Sequence, residues 1–87
     1  MIHNQYPIVV YTIYGCEYCK RAVKLLKQSG LPYKTRNIGS DANLGNALYQ
    51  MTGSPSVPKV FIKGQFIGGF DQLRALAESG QLFHAAG

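Results

Sequence analysis

Cys16 and Cys19 are the only thiols in the chain, three positions apart in the run Cys16-Glu17-Tyr18-Cys19. A bond between them would close a loop too small to constrain the unfolded chain, so the pair makes a poor structural staple. A lone close pair without other bridges reads instead as catalytic or metal-binding, in a reducing compartment. Zinc normally takes four Cys or His ligands, and the other candidates, His3 and His84, lie near opposite ends of the sequence, which argues against a metal site within one chain. What remains is thiol–disulfide exchange. At the start of a helix this spacing puts both side chains on one face, close enough for the sulfurs to bond. Cys16, at the helix N-terminus, meets unpaired N–H groups and the positive end of the helix dipole, with Lys20 and Arg21 adding to the field, so it is expected to ionise readily. Cys19, a turn further in and on the apolar side, is expected to be less exposed and less acidic. Cys16 is therefore the nucleophile and Cys19 the resolving thiol.

The elements that must hold this pair follow from periodicity. Ile8-Val9-Val10-Tyr11-Thr12 is a β-branched and aromatic run suited to a buried strand, ending at Tyr14-Gly15. Cys19, Ala22, Val23 and Leu26 then recur at helical spacing, until Ser29-Gly30-Leu31-Pro32 stops the helix. Tyr33 to Ile38 is a second strand, and Ser40 or Asp41 can cap a helix with Leu44, Ala47, Leu48 and Met51 as its apolar stripe. Val60-Phe61-Ile62, Lys63-Gly64 and Phe66-Ile67 form a hairpin, and Asp71 is placed to cap a last helix carrying Leu73, Leu76 and Ala77. The order β-α-β-α-β-β-α contains a parallel crossover and an antiparallel hairpin. The expected fold is α/β, a four-stranded mixed sheet flanked by three or four helices. Residues 1–87 make one domain, with 1–7 an N-terminal extension and 81–87 a C-terminal tail of at most one more helical turn.

Composition narrows the partners. The net charge of +5 is scattered, and Lys20, Arg21, Lys24 and Lys27 form the outer side of an amphipathic helix without a nucleic-acid motif, so no nucleic-acid partner is expected, although these cations can attract an anionic substrate to the cysteines. The longest apolar stretch, Ile8 to Tyr11, is far too short to span a bilayer. The opening residues lack the basic and apolar regions of a signal peptide. A cytoplasmic monomer without membrane attachment is expected.

Cys16-Glu17-Tyr18-Cys19, Ser56-Val57-Pro58 and Gly68-Gly69-Phe70-Asp71 together resemble the glutaredoxins, the glutathione-dependent branch of the thioredoxin fold, from Ile8 to about Leu82. The resemblance implies glutathione in a groove beside Cys16, with Tyr18 in its wall and the Val57 backbone pairing with the tripeptide as an added strand. It implies a cis bond before Pro58, a close approach at Gly69, and the N–H groups of Phe70 and Asp71 on the γ-glutamyl carboxylate. Two positions depart from the family pattern: Glu17 replaces a proline, and Ile13 stands where a basic residue is usual, so one contact to the glycine carboxylate is either lost or supplied by Lys34, Lys59 or Gln50.

The function so implied is reduction of protein–glutathione mixed disulfides and protein disulfides through the Cys16/Cys19 dithiol, with glutathione as reductant and no permanently bound cofactor or metal. Partners would be glutathionylated or disulfide-bonded proteins. Two rival readings stand beside it: an electron donor to ribonucleotide reductase that is itself reduced by thioredoxin reductase, and an iron–sulfur carrier with a cluster held between two Cys16 thiolates and two glutathiones.

Overall fold

Ile8–Thr12 forms strand β1, and its alternate side chains set the two faces of the sheet. The computed structural model describes residues 6–87; most of the expected N-terminal extension, and His3 with it, lies outside them. Helix α1 (Glu17–Ser29) follows β1 and crosses over to β2 (Tyr33–Asn37), which pairs in parallel with β1 from Ile8 opposite Tyr33 to Thr12 opposite Asn37. After α2 (Ala42–Thr52), β3 (Lys59–Ile62) inserts antiparallel on the other side of β1, and β4 (Gln65–Gly68) closes the sheet in the order β2-β1-β3-β4. Helices α3 (Phe70–Glu78) and α4 (Gln81–Ala86) complete the chain. The mixed four-stranded sheet is the one the sequence predicts. Lys63 and Gly64 turn the hairpin with φ of 51° and 80°, the left-handed pair that a two-residue loop between twisted strands requires.

One face of the sheet carries the core. Ile8 faces Ile62 and Val10 faces Val60 across the β1–β3 ladder, and these four join Ala22 and Leu26 of α1, Leu73 of α3, and Leu82 and Ala86 of α4 in one buried cluster. The last two residues correct the expectation of a tail over 81–87. Leu82 is fully buried, which contributes about 1.5 to 3 kcal/mol, and Ala86 lies one turn on, so the short segment folds because it completes the core.

The opposite face is thinner. Phe61 packs there between Tyr11 and Phe66, at ring-centroid distances of 5.5 Å and 5.4 Å. Of the stripe expected on α2, only Leu48 is buried; Met51 is 69% exposed and Ala47 also faces outward. Asp41 caps this helix, accepting from the Leu44 N–H at 3.0 Å. Among the described residues no helix is long and apolar enough to cross a membrane.

Candidate active site

Strand β1 delivers the chain, through Ile13-Tyr14-Gly15, to Cys16 at the N-cap of α1. Cys16 keeps an extended backbone (φ −88°, ψ 114°), and its Sγ accepts the Cys19 N–H at 3.2 Å. A sulfur in the cap position thus takes the place of the usual hydroxyl or carboxylate oxygen. It receives one of the N–H groups that the first turn leaves without a partner, an arrangement that suits negative charge. Cys16 is half-buried and Cys19 is 3% exposed, and both are free thiols. Burial, reinforced by the hydrogen bond to the Cys16 sulfur, pushes the Cys19 thiol up to about 11, against a smaller lowering from the backbone of Ile13. Cys19 therefore stays protonated at neutral pH until an acceptor for its proton is made beside it.

Glu17, the departure next to the nucleophile, turns its carboxylate toward Arg21 at 3.6 Å, one turn along α1. Arg21 in turn lies over the Tyr18 ring, 5.2 Å from its centroid, and Tyr18 leans on Phe70 at 5.9 Å. This chain of contacts ties the start of α1 to the start of α3.

The facing wall comes from the segment before β3. The Val57–Pro58 peptide is cis, as expected. The Val57 carbonyl lies 3.8 Å from Cys16 Sγ and accepts from its S–H. Ser54 and Ser56 shape the approach: the Ser56 N–H donates to Ser54 Oγ at 3.3 Å, and the two hydroxyls are 3.1 Å apart. Lys59, buried like the other three residues of β3, spends its ammonium on the Ser56 carbonyl at 2.6 Å; burial lowers its pKa. Of the three candidates for the glycine carboxylate, Lys59 comes nearest the groove through this bond, but neither it nor Lys34 nor Gln50 lines the groove.

At the third side, β4 runs out at Gly68, whose φ of 123° is glycine's territory and where an added Cβ would come within 2.7 Å of the Gln72 side chain. Helix α3 begins at Phe70, with Gly69 as its N-cap. This corrects the expectation that Asp71 caps it. A backbone turning at Gly68-Gly69 enters the helix before Asp71 is reached, so Asp71 sits in the first turn and pairs loosely with Arg74 at 3.9 Å. Gln72 folds back instead, its Oε1 accepting the Gly69 N–H at 2.8 Å. Gly69 has no side chain to accept from the first turn of α3, and among the described residues the N–H groups of Phe70 and Asp71 meet no acceptor, which is the setting in which a helix end receives an anion.

These three walls enclose an open groove of about 470 Å³. Tyr18, Val57, Pro58, Gly69, Phe70 and Asp71, all singled out in the sequence, line it, and Cys16 adjoins it through the Val57 carbonyl. Ser56 enters the sequence reading only as the first residue of its motif, and Ser54, Phe66 and Gln72 are not foreseen in the lining. Only Gln72 had a signal, its place three residues after Gly69 matching the spacing of a reciprocal cap. No group of three or more His, Cys, Asp or Glu side chains capable of holding a metal occurs among the described residues.

A family model for glutaredoxin matches residues 8–67, more than half of the chain and the span that carries both Cys16-x-x-Cys19 and the Val57–Pro58 bend. The chain belongs to the glutaredoxin family. It is 38% identical over 84 residues to glutaredoxin-C1 of Arabidopsis thaliana, covering 93% of this chain and 67% of the relative, and 36% identical over 76 residues to a glutaredoxin of Pseudomonas aeruginosa, covering 87% and 90%. The fold superposes on the crystal structure of a buckwheat glutaredoxin–glutathione complex with a TM-score of 0.86 and 36% identity, over 95% of this chain and 78% of that one. Glutaredoxin fold and family make the molecule a thiol–disulfide oxidoreductase of the thioredoxin-like class, and the Cys16/Cys19 pair is the part of it able to exchange disulfides.

Proposed function

We propose that this protein reduces mixed disulfides between proteins and glutathione, and disulfides within proteins, with glutathione as electron source. The observation that carries the reading is the groove beside Cys16, closed on one side by the Val57 backbone and on the other by free N–H groups at the start of α3. Glutathione is an extended tripeptide with a carboxylate at each end. Its central residue fits against Val57 in the manner of an added strand, and its γ-glutamyl carboxylate fits the N–H groups of Phe70 and Asp71. Tyr18 and Phe70 supply the apolar wall. The buckwheat relative was crystallised with glutathione, which supports the same assignment here.

In this reading the Cys16 thiolate attacks the glutathione sulfur of the mixed disulfide. The bond between that sulfur and the target breaks, and the target leaves as a thiolate that takes up a proton. Cys16 now carries glutathione. A second glutathione, as thiolate, attacks the glutathione sulfur of that adduct, releasing glutathione disulfide and restoring the Cys16 thiolate. The sum is an exchange: the mixed disulfide and one free glutathione become the target thiol and glutathione disulfide, the proton of that glutathione ending on the target. For a disulfide within a protein, Cys19 attacks Cys16 in the mixed disulfide with the target, giving its proton to the departing thiolate, and glutathione then reduces the Cys16–Cys19 bond.

The test is steady-state turnover of a glutathionylated peptide with glutathione, glutathione reductase and NADPH. Turnover that saturates with the glutathionylated peptide and depends on glutathione is expected. Turnover supported by thioredoxin reductase but not by glutathione overturns the assignment.

A further inference from the structure

A second groove, of about 480 Å³, opens on the other side of α1 and shares no lining residue with the first. Cys19 reaches into it, and Tyr14 and Val23 give it apolar surface. Its charge is uniform: Lys20, Lys24 and Lys27 line it, and neither Asp nor Glu does. The chain has only four carboxylate side chains, and each is taken by an arginine: Glu17 by Arg21, Asp41 by Arg36, and Asp71 and Glu78 by Arg74. Among the described residues none of the three lysines pairs with a carboxylate. At the mouth, between this groove and Cys16, Tyr14 stands 92% exposed, an aromatic of the kind that anchors protein contacts.

The geometry points to this groove as the docking site for the protein half of the substrate, and to a preference for an acidic segment there. The inference rests on the reading above: once glutathione fills the first groove, the polypeptide on the other side of the scissile bond must leave Cys16 in another direction, and the lysine groove adjoins the dithiol. From Lys20 to Lys27 the helix rises about 10 Å, the span of about three extended residues. The occupant is therefore an extended stretch with two or three Asp or Glu within a few residues of the reacting cysteine, held by charge complementarity and by Tyr14.

Glutathionylated peptides with the same cysteine, flanked by Asp-Glu or by Lys residues, test this, with the cysteine–glutathione mixed disulfide as a substrate that has no flanks. At low salt, kcat/KM for the acidic peptide is expected to exceed that for the basic one by about tenfold, the sum of several weak exposed pairs, and to fall toward parity as salt screens them. The double variant Lys24→Glu/Lys27→Glu is expected to reverse the preference when each peptide rate is divided by that for cysteine–glutathione, which removes any general loss of attraction for anions. A second arm omits glutathione: the reduced dithiol enzyme is mixed in single turnover with disulfide-bonded peptides bearing the same flanks, where the same order of rates is expected. Equal rates on both peptides in this arm, or an unaltered acidic preference in the double variant, overturn the docking site. Failure on every glutathionylated substrate with the preference intact in the second arm overturns the glutathione reading alone.

Discussion

Replacing Cys16 by Ser leaves Cys19 as the sole thiol, and its reactivity then measures how far the fold holds it back. With the thiol pushed up from 9.0 to about 11, its thiolate fraction at pH 8 falls from about 9% to about 0.1%, close to a hundredfold. A more basic thiolate is the better nucleophile, which returns about eightfold of this, so alkylation is expected to run up to about tenfold slower than for an unperturbed thiol before shielding is counted. At 3% exposure shielding slows it further. The substitution removes the hydrogen bond and the charge that Cys16 contributes, but burial, the largest cause, stays. Iodoacetamide labelling between about pH 7 and 11, with N-acetylcysteine alongside, is expected to show a rate still climbing beyond pH 10. The same shift reaches stability. A thiol whose folded pKa is raised favours folding fully below the unfolded value of 9.0 and loses that contribution, on the order of 2 to 3 kcal/mol, as pH rises to about 11. A folded Cys16→Ser variant whose labelling levels off at or below pH 9 would refute the claim that position in the helix, rather than sequence order, divides the two roles.

Three further expectations follow from the same geometry. Cys19→Ser is expected to keep most deglutathionylation while losing most reduction of protein disulfides, and Cys16→Ser to lose both; an active Cys16→Ser enzyme in a side-by-side assay would reverse the roles. Gly68→Ala puts a side chain at a φ of 123° and into Gln72, so the unfolding midpoint in urea should reveal a loss of about 1 to 3 kcal/mol together with a raised KM for glutathione; a variant as stable as wild type shows that the start of α3 tolerates reshaping. Leu82→Ala is expected to cost about 2 to 5 kcal/mol, and a loss below about 1 kcal/mol in chemical denaturation would return α4 to the status of an appendage.

Much of this was written plainly in the chain. The strands announce themselves through β-branched and aromatic runs between turn residues and the three longer helices through a period of 3.6, and the cysteine spacing before an apolar stripe places the nucleophile outside the helix and its partner inside. What escaped was decided by packing. Six residues from Gln81 are too few to show a period, and only the hole they fill makes them helical. Lys59 stands just before an apolar run, where a lysine reads as exposed, yet it lies buried, because its ammonium finds the Ser56 carbonyl. Asp71 is a sound cap by residue type, but the glycines before it start the helix two positions early. Met51 and Ala47 satisfy a helical stripe that has little to pack against.

Strand order also sets which parts of the molecule breathe. The two halves of the chemistry, Cys16 and Val57, leave and enter the sheet on β1 and β3, the strands with neighbours on both sides. The excursion through β2 and α2 hangs on a single ladder and on Leu48. Amide exchange should therefore be fastest along 33–52 and slowest in β1 and β3, with local opening there costing less than global unfolding. The Lys59–Ser56 bond and buried Pro58 anchor the chain where that excursion rejoins the sheet, which shields the groove beside Val57 from it. Thr35 and Asn37 of β2, however, form one bank of the lysine groove. The two sides of the dithiol thus differ in stiffness as well as in charge: a firm cradle beside Val57, and a yielding one beside the lysines.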